Sequence, residues 1–192
     1  MFAQAGSFLV DVVFGLFTYA FLLRFYMQLM RAPYRNPLGQ ATVAVTDWAV
    51  KPVRRALPGF RGVDWATLLL AYLAQFLWLL MLGFVVAPML RGGSAIVVIL
   101  ALAAVELLKA SLWILIVSVF VQAVLSWIAP DGPLSGVLNA LTFRFLAPLR
   151  RLIPPIGGAL DLSPLIVLVL ANLALRIPVR WLEAAVLGLG AS

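Results

Sequence analysis

The 192-residue chain contains no cysteine and no histidine. Without cysteine there are no disulfides, thiol nucleophiles or thiolate metal sites. Without histidine there is no imidazole base and no imidazole metal ligand. Haem attachment of the c type needs both residues and is excluded with them. Charge is scarce too. Only 11% of residues are charged, and Asp and Glu together number seven. Those carboxylates are scattered and do not cluster as two-metal chemistry requires. There is no Ser–His pairing, and no Gly-rich phosphate loop follows a strand. An enzyme is therefore the least expected class, and no cofactor or metal is expected.

What fills the chain instead is apolar. Hydrophobic residues make up 65% and the mean hydropathy is +1.11. Soluble domains sit near half apolar and a quarter charged, so part of the solvent here must be lipid. An all-α integral membrane protein follows. The N-terminal MFAQAGSFLVDVV lacks a basic n-region, so no cleavable signal peptide is expected. The net charge of +7 is uneven. Arg31, Arg35, Lys51, Arg54, Arg55 and Arg61 share one polar stretch, and Arg144, Arg150 and Arg151 another. In a membrane protein such clusters report orientation and lipid contact; no nucleic-acid partner is expected.

The sequence repeats itself. A shift of 96 positions carries Pro52-Val53-Arg54-Arg55 onto Pro148-Leu149-Arg150-Arg151, Pro58 onto Pro154 and Thr46 onto Thr142. Asp64 meets Asp161 one residue later. Allowing two residues for a longer loop, Arg24 meets Gln122 and Asp11 meets Lys109. Each copy reads span, polar segment, span. Spans are predicted near Phe8–Met30, Trp65–Met89, Lys109–Ala129 and Leu162–Leu187. Residues 1–90 form the first copy and 109–192 the second. Between them, 91–108 is apolar, but Ile96 to Trp127 is too short for two crossings of about 20 residues each plus a turn, so 91–108 reads as an extension of the third helix or an interfacial approach to it. Four crossings put both basic segments on one side, cytoplasmic by the positive-inside rule, with both termini outside. The copies are then parallel, related by an axis along the membrane normal.

Asn36-Pro37 is a good helix start. From there, helical periodicity sets Leu38, Ala41, Val45, Trp48, Ala49 and Val53 on one side. Gln40, Asp47, Lys51, Arg54 and Arg55 fall on the other. This predicts an amphipathic helix lying in the headgroup plane. Pro133 to Ile153 repeats the pattern less cleanly, with Phe143 on its polar side. Pro52 and Pro148 should bend or end these helices, leaving the arginines on a turn. Two readings of Lys51, Arg54, Arg55, Arg150 and Arg151 stand side by side. They fix topology and hold anionic lipid headgroups, or they dock a specific lipid or partner protein, for which Arg suits bidentate recognition.

The duplicated P-x-R-R-x-L/I-P, followed by a glycine-bearing turn and Asp, resembles the YggT family of small bacterial membrane proteins. LLRFYMQ (Leu22–Gln28), VLSWIA (Val124–Ala129) and DLSP (Asp161–Pro164) share in the likeness. The first copy departs from it at VDWAT (Val63–Thr67), so its turn is expected to be less tightly fixed. The resemblance implies a bacterial inner-membrane protein with plastid relatives. Those relatives are associated with membrane-complex assembly, division or nucleoid organisation, and osmotic or ion homeostasis. One plastid branch is similar to a haem-attachment assembly factor, but without His or Cys direct haem ligation in that style is not expected here.

Several polar groups fall inside the spans. Arg24 lies about two turns from the cytoplasmic end of span one. It is expected to snorkel to the interface or to act inside the bundle with Gln28, Gln75 or Gln122. Asp11 and Lys109 sit near the outer ends of their spans and are expected either to pair across the repeat axis or to face interfacial water. Arg180 and Glu183 can pair along a helix, and Arg176 and Arg180 are possible partners for Glu106. Pro178 should interrupt span four. Trp48, Trp65, Trp127 and Trp181 read as interface anchors. The leading expectation is a scaffold or assembly factor that uses the paired basic segments to dock anionic lipid or a membrane-protein partner. The alternative is an oligomeric channel or transporter-like protein.

Overall fold

The computed structural model describes residues 2–86, 95–153 and 161–189. Within them the chain is helical apart from connecting turns and one isolated bridge between Phe60 and Val63. Four helical stretches are long and apolar enough to cross a bilayer: Gln4–Leu29, Trp65–Leu82, Ala95–Ile128 and Ser163–Gly188. That is the pattern of a multi-pass membrane protein.

Helix α1 (Phe2–Leu29) leaves Phe8, Leu9 and Leu16 exposed and buries Thr18, Leu22 and Arg24. Large apolar side chains left outside and polar ones drawn inside suit a lipid solvent, and Phe21, Phe25 and Met27 are buried with them. Its end is a Schellman motif. Ala32 N–H donates to Met27 C=O (2.8 Å) and Arg31 N–H to Gln28 C=O (3.1 Å). The motif puts Arg31 in the left-handed region at φ 53°, where glycine is usual.

Helix α2 (Pro37–Ala56) starts where the sequence indicates. The Asn36 side chain accepts from Gly39 N–H at 2.9 Å, and Pro37 opens the helix. A Cβ on Gly39 would lie 2.6 Å from the Tyr34 carbonyl oxygen, so this position needs glycine. The helix runs on through Pro52, so Arg54 and Arg55 occupy its last turn. Helix α5 (Ser135–Leu152) likewise passes through Pro148 to Arg150 and Arg151. The expectation that the arginines sit on a turn is corrected. A proline this near a helix end removes only one backbone hydrogen bond, and the end is recovered when Leu57 N–H and Ile153 N–H donate to Val53 and Leu149.

The side of α2 turned to protein also differs from the periodic reading. Gly39, Thr42, Thr46, Ala49 and Val50 are buried, whereas Ala41 and Trp48 are exposed. Small and hydroxyl-bearing residues make the close contact, as they do between membrane helices.

Pro58 precedes a two-residue turn. Phe60 and Val63 exchange backbone hydrogen bonds at 3.1 Å, with Arg61 (φ 53°) and Gly62 (φ 81°) between them. Two successive positive φ angles make this a type I′ turn. Helix α3 (Trp65–Val86) follows and packs most extensively on α1, through Ala71 and Ala74 against Phe21 and Leu22.

Helix α4 (Ala95–Ile128) is continuous over 34 residues, so 95–108 is an extension of the third apolar helix; residues 91–94 lie outside the described residues. Helices α6 (Ser163–Arg176) and α7 (Pro178–Leu189) divide at Pro178 as expected. Val119, Leu146 and Val167 join α4, α5 and α6. Met27, Ala32, Val137 and Leu141 join the end of α1 to α5, and so bind the two halves of the sequence together. Pro154 lies outside the described residues.

Candidate functional site

The polar residues gather in two sets of ties, one per sequence copy. In the first, Arg24 does not snorkel. Its Nη1 donates to Thr46 Oγ1 (2.7 Å) and to Asp47 Oδ1 (2.8 Å), and the residue is only 6% exposed. Lys51, one turn on, holds the other Asp47 oxygen at 2.7 Å. The hydrogen bond from Lys51, followed by that from Arg24, holds the Asp47 carboxyl below its ordinary value. Thr46 donates its own hydrogen to Thr42 C=O at 2.6 Å, so its lone pairs face Arg24.

At the other end of α2, Arg54 donates to Gln28 Oε1 at 2.7 Å and pairs with Asp64 through both Nη2 and Nε. Asp64 is buried and also caps α3: its Oδ1 accepts from Thr67 N–H at 3.4 Å, and Thr67 Oγ1 donates to its carbonyl at 3.0 Å. The hydrogen bond to Asp64 raises the Arg54 pKa, so the guanidinium stays charged. The first copy's turn is therefore firmly held. The expectation that VDWAT loosens it is corrected, because the buried Asp supplies both the cap and the ion pair.

The second copy repeats both contacts with different chemistry. The Thr142 hydroxyl shares its hydrogen between Gln122 Oε1 and the Leu138 carbonyl. These are the positions aligned with Thr46, Arg24 and Thr42. Arg150 Nε donates to Asp161 Oδ2 at 2.8 Å, and Asp161 Oδ1 accepts from Ser163 N–H at 2.9 Å. Burial pushes the Asp161 carboxyl up, but Ser163 and Arg150 outweigh it and hold the group below its ordinary value. Arg54 and Arg150, predicted to dock lipid or partner, are thus committed to aspartates of their own chain. Arg55 and Arg151 are exposed, and Lys51 is exposed while paired.

Near the other ends of the spans the pairing expectations are corrected. Asp11 does not meet Lys109; its Oδ1 accepts from Trp78 Nε1 at 2.6 Å. Lys109 pairs with Glu106 (2.7 Å) and Glu183 (2.8 Å). Glu106 stands one turn before Lys109 on the same helix, and α7 delivers Glu183. The lysine is therefore satisfied before Asp11 comes within reach, although Asp11 and Lys109 line one cavity of about 230 Å³. Glu106 and Glu183 both go to Lys109, so the Arg176, Arg180 and Glu183 pairings also fail; Arg176 and Arg180 are exposed. Gln75 accepts from Thr18 at 3.4 Å, not from Arg24.

The two sets of ties fall within two separate matches to one family. The family model described as CCB3/YggT matches residues 3–85 and again 101–182. The chain belongs to the CCB3/YggT family. A Pseudomonas aeruginosa relative is 36% identical over 90% of this chain and 85% of its own length. A Vibrio alginolyticus protein from the proC 3′ region is 35% identical over 85% of this chain and 87% of its own. The YggT protein of Escherichia coli K12 is 34% identical over 85% and 84%. No solved structure matches.

In this family member, no group of three or more His, Cys, Asp or Glu among the described residues is placed to hold a metal ion. Periodicity alone misses Asp47 as the partner of Arg24. The usable signal is the alignment of Thr46 with Thr142, which marks one point where the first two helices of each copy touch.

Proposed function

We propose that this YggT-family protein is a non-enzymatic organising or assembly factor of the bacterial inner membrane. It is read as two parallel copies, 1–90 and 109–192, joined through 91–108. Each copy consists of a span, an amphipathic interfacial helix and a span. The basic segments lie on the cytoplasmic side and the termini outside.

The observation that carries this reading is how the polar groups divide. Arg24, Gln122, Asp11 and Lys109, the groups a polar path would need, all make contacts between or along helices. They hold the bundle together, which is the work of a structural tie. Beside each tied arginine stands an exposed one: Arg55 next to Arg54, and Arg151 next to Arg150. The ties to Asp64 and Asp161 fix the last helical turns, so two guanidinium groups project from matching places. Guanidinium forks suit the carboxylates of a membrane-protein partner.

The absence of cysteine gives a clean test. Arg55→Cys and Arg151→Cys each introduce one thiol into an otherwise thiol-free chain. Both are expected to label from the cytoplasmic side only and to cross-link to a membrane protein in intact cells. Labelling of the two sites from opposite sides would overturn the parallel arrangement. Ion flux through reconstituted protein that falls when Arg24 is replaced would overturn the scaffold role.

A further inference from the structure

The end of α1, the turn between α2 and α3, and α5 enclose a cleft of about 780 Å³. Three arginines line it. Arg31 and Arg61 come from the first copy and Arg144 from the second, so the site exists only where the two copies meet. No carboxylate lines the cleft, and none of the three arginines has an acidic partner among the described residues. Gln28 and Asn139 also line it, and the Gln28 Oε1 accepts from Arg54. The three guanidinium groups present only hydrogen-bond donors to an occupant, and the two amides add further NH2 donors.

The backbone singles out the same residues. Among the described residues, Arg31 and Arg61 are the only non-glycine residues with positive φ. One is the left-handed position of a Schellman motif and the other the first central position of a type I′ turn. Glycine would hold either turn more easily. Unfavourable backbone held in place by its surroundings marks functional positions, and here two such positions aim long cations at one cleft.

A neighbouring groove indicates the kind of anion. Between α1, α4 and α5 lies an apolar groove of about 170 Å³, flanked by Tyr26, Leu108, Leu115 and Phe145. Met30 lines both the groove and the basic cleft. A donor-rich cleft continuous with an apolar groove matches a phosphate joined to an acyl chain, and free phosphate would have no use for the groove. We propose that this cleft is a headgroup site for one anionic phospholipid, with Arg31, Arg61 and Arg144 on the phosphate and an acyl chain along the Met30 groove. The proposal rests on the reading above only in placing this end of the helices at headgroup level.

The test uses full-length protein in mild detergent, with phosphatidylglycerol or phosphatidylcholine added and retained lipid read by native mass spectrometry. Wild type is expected to retain phosphatidylglycerol selectively. Arg31→Gly and Arg61→Gly should keep or raise the melting temperature without lipid, since both turns accept glycine. Combined with Arg144→Ala they should weaken phosphatidylglycerol retention about a hundredfold, at one factor of about five per basic residue near an anionic lipid. Arg55→Ala/Arg151→Ala should retain the lipid as wild type does. Equal retention of phosphatidylcholine, undiminished retention by the triple variant, or loss confined to Arg55→Ala/Arg151→Ala would overturn the proposal. So would inorganic phosphate protecting the protein from heat as well as phosphatidylglycerol does. The cysteine labelling above is read on separate variants, so a wrong topology fails there and a wrong site fails here.

Discussion

The first copy joins its opening helix to its second with Arg24, Thr46 and Asp47; the second copy does so with Gln122 and Thr142 alone. Phe143 stands where Asp47 would be, and it is exposed. The hydroxyl is common to both, and its own hydrogen bond reaches back one turn in each. The contact geometry therefore does not require charge. What charge adds is consequence: a buried arginine must keep its carboxylate, whereas a glutamine that loses its partner leaves only one polar group unmet.

The largest expected effect breaks that difference. Asp47→Ala strands the buried Arg24 guanidinium and should cost about 3 kcal/mol, the low end for a buried pair, because the Asp47 side chain is itself 25% exposed. Adding Arg24→Gln, which copies the second half, should restore most of the loss. Thermal unfolding in detergent reads both. Equal instability of the single and double variants would mean that Asp47 does not act through Arg24.

A smaller effect separates the two aspartate ties. The Asp64 side chain is 1% exposed and that of Asp161 26%. Asp64→Asn should cost about 2–3 kcal/mol and Asp161→Asn about 1 kcal/mol, because screening weakens the more exposed pair. The same melts measure it, and an equal response would remove burial as the cause.

The smallest effect is in pH. Asp47 is held below its ordinary value in the fold, while an unfolded aspartate titrates near about 3.9. Its contribution is whole above that value and is lost as pH falls through the lower, folded one. Asp161 acts with the same sign. Melting temperature should fall with acid below about pH 4, and Asp47→Asn should flatten the slope more than Phe143→Asn does.

Much of this was legible in the residues. The duplicated arginine pair and the aspartate about ten positions on stand out as a repeat, although the repeat casts Arg54 and Arg150 as docking groups and does not reveal their pairing with Asp64 and Asp161. Asn36-Pro37 names the start of α2 through backbone chemistry that is local. The buried face of α2 was not legible from polarity. In lipid the side that meets protein is the small, hydroxyl-bearing one, Thr42, Thr46 and Ala49, and Trp48 faces outward. Asp11 and Lys109 failed for another reason. Equivalence by duplication says that two residues hold like places, not that they meet, and Trp78 and Glu183 come from helices whose placement only the folded chain reveals. Arg31, Arg61 and Arg144 stand in the basic clusters, but that they line one cleft was not legible, because Arg144 comes from the other copy and the turns that place Arg31 and Arg61 are set by backbone dihedrals.

At 1.5 Å per residue, the 34 residues of α4 extend about 51 Å, against about 42 Å for the 28 of α1. A hydrocarbon layer of about 30 Å cannot swallow either rod upright, and α4 has the greater excess. A thinner sheet of lipid forces more lean or more overhang on α4 than on α1. Since Glu183 of α7 is fastened to Lys109 in the middle of that rod, the lean is handed on to the end of the chain, so bilayer thickness enters the shape of the second half more strongly than that of the first.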